Sequence, residues 1–138
     1  MQKRDNDQRQ RIVLLQLRTF EFAARILDLC PRAYPDDPSR VIWRQLVRSA
    51  PSASGNLEEA DEASSEEDFI YRIKVATREM KESRRWLKFI ARCKLANYQR
   101  LSNLEDEARQ LSAIFATIVI RMKERLAHEK ANRKKRTG

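Results

Sequence analysis

Apolar residues recur every three or four positions along most of this chain, a rhythm that fits helices and no strand pattern. Four segments carry it. The first runs from about Asp7 to Leu29 and puts Ile12, Leu15, Phe22, Ile26 and Leu29 on one stripe. It stops before Cys30-Pro31, where CPRAYPDDP places three prolines in a loop. The second opens at Asp37-Pro38, an acidic N-cap followed by a proline whose fixed φ suits the first helical position. Its stripe is Ile42, Leu46, Ser49, Ala53, Leu57 and Ala60. Ser64 and Ser65 begin the third, which extends to about Leu95. Ser64-x-x-Glu67 matches a capping box, and Glu66, Glu67 and Asp68 complement the positive end of a helix. After the turn Ala96-Asn97-Tyr98, the fourth covers roughly Arg100 to His128, with Leu104, Leu111, Ile114, Phe115, Ile118 and Met122 inward. Short loops make successive helices antiparallel, so the expected fold is all-α, an up-down four-helix bundle. Residues 1–128 form the bundle, and 129–138, EKANRKKRTG, are expected to be a basic disordered tail.

The third segment has more apolar surface than one bundle core needs. Its core stripe is Phe69, Ile73, Ala76, Met80, Ser83, Leu87 and Ile90; a second stripe beside it holds Tyr71, Val75, Glu82, Trp86, Phe89 and Cys93. Together they span roughly 200°, about twice the stripe of an ordinary surface helix. The first segment also carries Val13, Leu17, Phe20, Ala24 and Leu27 outside its main stripe. Apolar surface left over after folding marks an interface. A homo-oligomer is therefore expected, with Tyr71, Val75, Trp86, Phe89, Phe20 and Leu27 between subunits. The alternative is a monomer whose large residues wrap around the ends of its core.

The remaining face of the third segment reads Lys74, Arg78, Lys81, Arg85, Lys88 and Arg92, with no acid among them. The tail adds Lys130, Arg133, Lys134, Lys135 and Arg136, and the net charge is +9. Such a strip can follow a phosphate backbone, which points to RNA or DNA as a partner. The competing reading is neutralisation by Glu58, Glu59, Asp61, Glu62, Glu66, Glu67 and Asp68, or by a neighbouring subunit.

Catalytic chemistry finds little to work with. The only histidine, His128, sits near the tail, so no Ser-His-Asp or Cys-His pairing forms elsewhere. Clustered zinc ligands, inward Glu-x-x-His pairs and a Gly-rich phosphate loop are all missing from the sequence. Glu59 and Glu82 read as structural rather than as an acid–base pair. Cys30 and Cys93 are expected as two buried thiols, not a disulfide. The expectation is no enzyme, no metal, no cofactor, no membrane span and a cytoplasmic location.

One stretch, RSAPSASGNLEEA at 48–60, combines helix breakers with unbroken apolar spacing. Pro51 and Gly55 fall off the core stripe. Pro51 removes the N–H that would bond Val47 and clashes with that carbonyl, a cost of about 3 kcal/mol, which predicts a kink. Ser49, Ala50 and Ala53 let neighbouring helices approach closely. Asn56 and Glu59, at the edge of the stripe, are expected to be a structural polar pair, hydrogen-bonded to Arg48 or to a side chain of the third segment.

Residues from this stretch through the third segment resemble a small bacterial four-helix-bundle family. That family includes the proteins encoded in intervening sequences of large-subunit ribosomal RNA genes and the accessory variability determinants of diversity-generating retroelements. The residues that carry the resemblance are Arg48, Ser49, Ala50, Asn56, Glu59, Ala60, Ser65, Asp68, Phe69, Ala76, Glu79, Glu82, Trp86 and Leu87. Pro51 departs from a family position that more often holds Val or Thr. The resemblance implies a homopentamer of antiparallel bundles forming a tapered ring. In the retroelement branch it implies a basic, non-catalytic ring that binds nucleic acid and serves a reverse transcriptase. The ribosomal-RNA branch carries no settled biochemical role, and the alternative reading for a chain of that type is a non-catalytic protein-interaction scaffold whose positive charge faces an acidic protein.

Overall fold

Helix boundaries fall where the sequence supplies partners for the free backbone groups at helix ends. The computed structural model describes residues 2–138, apart from the side chains of residues 2–5, 8 and 9. It contains α1 (Gln2–Leu29), α2 (Ser39–Asp61), α3 (Glu66–Arg92) and α4 (Tyr98–Thr137), with no strand among the described residues. At α2 the Asp37 Oδ1 accepts the Ser39 N–H at 2.7 Å, which also holds the Asp37 carboxyl below its usual range. Pro38 occupies the cap position itself and offers no side-chain bond. At α3 the cap is Ser65, not Ser64: its extended backbone lets Oγ accept the Asp68 N–H at 3.1 Å. Asn97 does the same for α4 by accepting the Arg100 N–H.

α3 ends in a left-handed turn. The Leu95 N–H reaches the Ile90 carbonyl and the Lys94 N–H the Ala91 carbonyl, with Lys94 at φ 55°. This six-to-one closure normally uses glycine, because a side chain there costs about 1–2 kcal/mol. Replacing Lys94 with glycine should therefore raise stability by about 1 kcal/mol. Urea denaturation of the Lys94→Gly variant checks this; an unchanged or lower midpoint refutes it.

The ion pairs between helices fix their directions. Glu59, late in α2, meets Arg72, early in α3, at 2.6 Å, while Arg48 meets Glu79 and Glu82 farther along. Arg84, late in α3, faces Glu105, early in α4; Glu66, at the start of α3, meets Arg125 of α4. Arg18 of α1 binds Glu107. α2 and α3, and likewise α3 and α4, therefore run antiparallel. α1 contacts α2 and α4, and α3 contacts the same two, so the four close into a bundle.

The core follows the stripes with small shifts. Phe22, Ile26, Leu46, Leu57, Ile73, Met80, Leu87, Ile90, Leu104, Leu111 and Phe115 are buried. Trp43 is buried where Ile42 is only half so, and Ile70 takes the place expected for Phe69. Between α2 and α3 the seam is built from small side chains. The Ser49 and Ser83 hydroxyls meet at 2.8 Å with both residues fully buried. Ser83 also donates to the Glu79 carbonyl, and Ala50, Ala53 and Ala76 line the same seam without exposure. α2 continues as one helix through Pro51, which is half-buried. Gly55 is exposed, with open space where a Cβ would stand.

Residues 129–138 differ from the disordered tail that their charge suggests: α4 continues through Thr137. Ala, Glu, Lys, Arg and Gln are strong helix formers, the Arg125–Glu129 pair sits at i,i+4, and Lys134, Lys135 and Arg136 in the last turn suit the negative end of the helix dipole. High charge prevents burial here without preventing a helix.

Candidate nucleic-acid interface

Lys74, Arg78, Lys81, Arg85, Lys88 and Arg92 are all exposed on α3. From the first to the last the rise is about 27 Å. Among the described residues no acid lies within ion-pair distance of any of the six. Several acids that could have neutralised the strip are engaged elsewhere: Glu59 and Asp68 with Arg72, Glu66 with Arg125. One end of the strip gains a cation instead. Lys123 of α4 comes up against Lys74, and that contact, together with nearby Arg78, depresses the Lys74 ammonium below its ordinary pKa. Lys123 is invisible from the strip's own spacing; it joins only because α4 runs antiparallel beside α3. Lys130, Arg133, Lys134, Lys135 and Arg136 lie farther along α4, all exposed.

The other flank of the outer face of α3 belongs to α2. Arg48 spans two carboxylates, meeting Glu79 at 3.1 Å and Glu82 at 2.6 Å, and the Trp86 Nε1–H donates to Glu82 at 3.2 Å. The Arg48 and Trp86 bonds hold the Glu82 carboxyl below its usual range. Glu79 and Glu82 are thus clamped in place. A shallow groove of about 560 Å³ runs here, lined by Tyr71, Val75, Arg78, Glu79, Lys81, Glu82 and Arg85. Its apolar edge is the second stripe: Tyr71 is 54% exposed and Phe89 53%, while Val75 and Trp86 are half-buried, and the Trp86 and Phe89 rings lie 5.9 Å apart. On α1, Phe20 and Leu27 are exposed along with Val13, Leu14 and Leu17. α3 therefore sorts its surface by neighbour, apolar on the α2 side and cationic on the α4 side.

Two expectations need correction. Glu59 finds its partner on α3 as expected, but Asn56 does not. The Asn56 amide donates to the Ser52 carbonyl at 2.9 Å, one turn back on its own helix, and Glu59 reaches across to Arg72. A same-helix acceptor was closer for the amide, and a guanidinium was available for the carboxylate. The two thiols are also not both buried: Cys93 is exposed at the end of α3. Cys30 is half-buried, and burial pushes its thiol up to about 11, so it stays protonated and weakly nucleophilic near neutral pH.

The motif residues shared with the resembled family hold helices together. Arg48, Glu79, Glu82 and Trp86 form the clamp, Ser49 joins the Ser83 hydroxyl, and Ser65 caps α3 at Asp68. Ala60, Ala76 and Leu87 are buried. None of them belongs to the cationic strip.

A family model described as 23S rRNA-intervening sequence protein matches residues 15–117, from α1 well into α4. A crystal structure of a protein of unknown function from the S23 ribosomal protein family of Bacteroides thetaiotaomicron is similar at a TM-score of 0.70 and 25% identity, over 76% of this chain and 97% of that one. No curated protein matches the chain. No helix among the described residues is long and apolar enough to cross a membrane. With the family model covering most of the bundle and the motif residues forming its α2–α3 seam, the chain belongs to the 23S rRNA-intervening sequence protein family.

Proposed function

We propose that this chain is a non-enzymatic nucleic-acid-binding homo-oligomer. The observation that carries the reading is the exposed six-cation strip with no acidic partner, extended by Lys123. Cations left unpaired in the subunit, and set beside one another, are a site for phosphates. The exposed apolar residues of α1 and α3 favour self-association, and the resemblance to the bundle family supports a pentameric ring as the assembly. The apolar stripe and the cationic strip adjoin along one groove, so the strip borders the surface through which subunits join. In that ring the protein acts as an accessory subunit to a reverse transcriptase, holding its RNA or DNA; it performs no chemistry itself.

The test is the salt dependence of binding to RNA and DNA, read by fluorescence anisotropy. Six phosphate contacts give a log–log slope of about −4 on single strands and about −5 on B-form duplex, per engaged subunit. A slope near zero removes the strip as the contact surface. Light scattering tests the oligomer: a mass at the single-chain 16.3 kDa overturns it.

A further inference from the structure

The end of α4 differs from the α3 strip in how its charge is distributed. The last residues of α4 against the core are Met122 and Leu126, and from Lys130 onward every residue is exposed. Residues 129–137 therefore form a free helical arm about 14 Å long. At 100° per residue the six cations of α3 fall within one narrow sector. Lys130, Arg133, Lys134, Lys135 and Arg136 instead fall all around the arm. A strip on one face is matched by a phosphate row passing on one side. An arm charged all around is matched only by anions on two opposite walls.

We infer that this arm seats in the major groove of B-form DNA, while the α3 strip follows the backbone outside it; this rests on the nucleic-acid-binding function proposed for the strip. The B-form major groove is about 12 Å wide and 8.5 Å deep, admits one α-helix, and has a phosphate backbone on each wall. The A-form RNA major groove is narrow and deep and does not admit one. The charge pattern of the arm also needs a partner. Lys130 and Lys134, Lys130 and Arg133, and Arg133 and Arg136 are like-charged neighbours one turn apart, which repel on a free helix. Phosphate walls turn that repulsion into attraction. Lys123, about 9 Å back along α4 from the arm, lies beside Lys74, so the arm continues past the Lys74 end of the strip and one duplex can meet both. The arm lies beyond residue 117, where the family match ends.

The experiment compares the full chain with a variant carrying Lys130→Gln, Arg133→Gln, Lys134→Gln, Lys135→Gln and Arg136→Gln. Glutamine keeps helix propensity while removing charge. The probes are DNA and RNA duplexes of one sequence, roughly 30 bp or about three turns long. The full chain should bind the DNA duplex at least about tenfold more tightly than the RNA duplex. The variant should lose that preference, with its salt slope on DNA smaller by about 4.5 units, from five contacts at about 0.9 each. The full chain should also protect guanine N7, a major-groove atom, from dimethyl sulfate. Equal affinity for the two duplexes, a preference kept by the variant, or unprotected N7 overturns the groove assignment. If the full chain binds neither the duplexes nor single strands, the nucleic-acid reading itself falls. If single strands bind and the duplex preference is missing, only the arm's docking falls.

Discussion

Substituting Arg78→Glu, Lys81→Glu and Arg85→Glu together should lower nucleic-acid affinity by about 10²–10³-fold near 0.1 M salt and leave the oligomer mass unchanged. Three lost phosphate contacts, at about 0.9 log units each per tenfold salt, account for about 2.7 log units between 1 M and 0.1 M. The introduced carboxylates add repulsion in the middle of the strip. The fold has little reason to respond. The three side chains are exposed and take part in no ion pair among the described residues. Glutamate is as good a helix former as lysine or arginine, and at 78 and 85 it would sit one turn from Lys74 and Lys88. Affinity within about threefold of wild type would show that phosphates bind elsewhere, since even one lost contact removes more than that at this salt. A fall in mass would show instead that the strip lies between subunits.

The α2–α3 seam should be the most sensitive place for stability. Ser83 is fully buried and meets the Ser49 hydroxyl at 2.8 Å, so no space remains for a larger side chain. Ser83→Leu overfills the seam, at about 1–3 kcal/mol. It also removes the partner of the Ser49 hydroxyl, at about 1–3 kcal/mol. The combined loss is about 4 kcal/mol, a large fraction of the roughly 5–15 kcal/mol that holds a domain folded. Ser83→Ala should lose less, because it removes the same hydroxyl partner without overfilling the seam. Denaturant midpoints with unchanged slopes measure both. A loss under about 1 kcal/mol for Ser83→Leu would mean that the helices separate easily there.

Periodicity makes the four helices legible because it is a local property of each segment. Ser49, Ser83 and the inward leucines stand where the spacing places them, and the basic strip is exposed as a strip. What spacing does not carry is the partner across the helix boundary. Glu59 pairs with Arg72, and Lys123 reaches Lys74, only once neighbouring helices are aligned. Trp43 over Ile42 and Ile70 over Phe69 reflect the same limit: adjacent positions differ by 100°, and the neighbours decide which one is covered. The arm of α4 departs from expectation for another reason. Its charge excludes burial, but its residue types favour a helix, and the two properties are independent.

The division of α3 into three faces has a consequence for how this chain can change over time. Its core, its clamp to Arg48 and its cationic strip are kept apart only by helical phase. A substitution on the strip leaves the packing of the other two faces alone, so its charge can change without loss of the fold, at the expense of phosphate contacts. Loss of a single residue anywhere between Glu79 and Arg85 is different. It turns the rest of the helix by about 100°, moving Lys88 toward the core and Leu87 and Ile90 out of it. Residue identity along this helix is negotiable on one face; residue count is not.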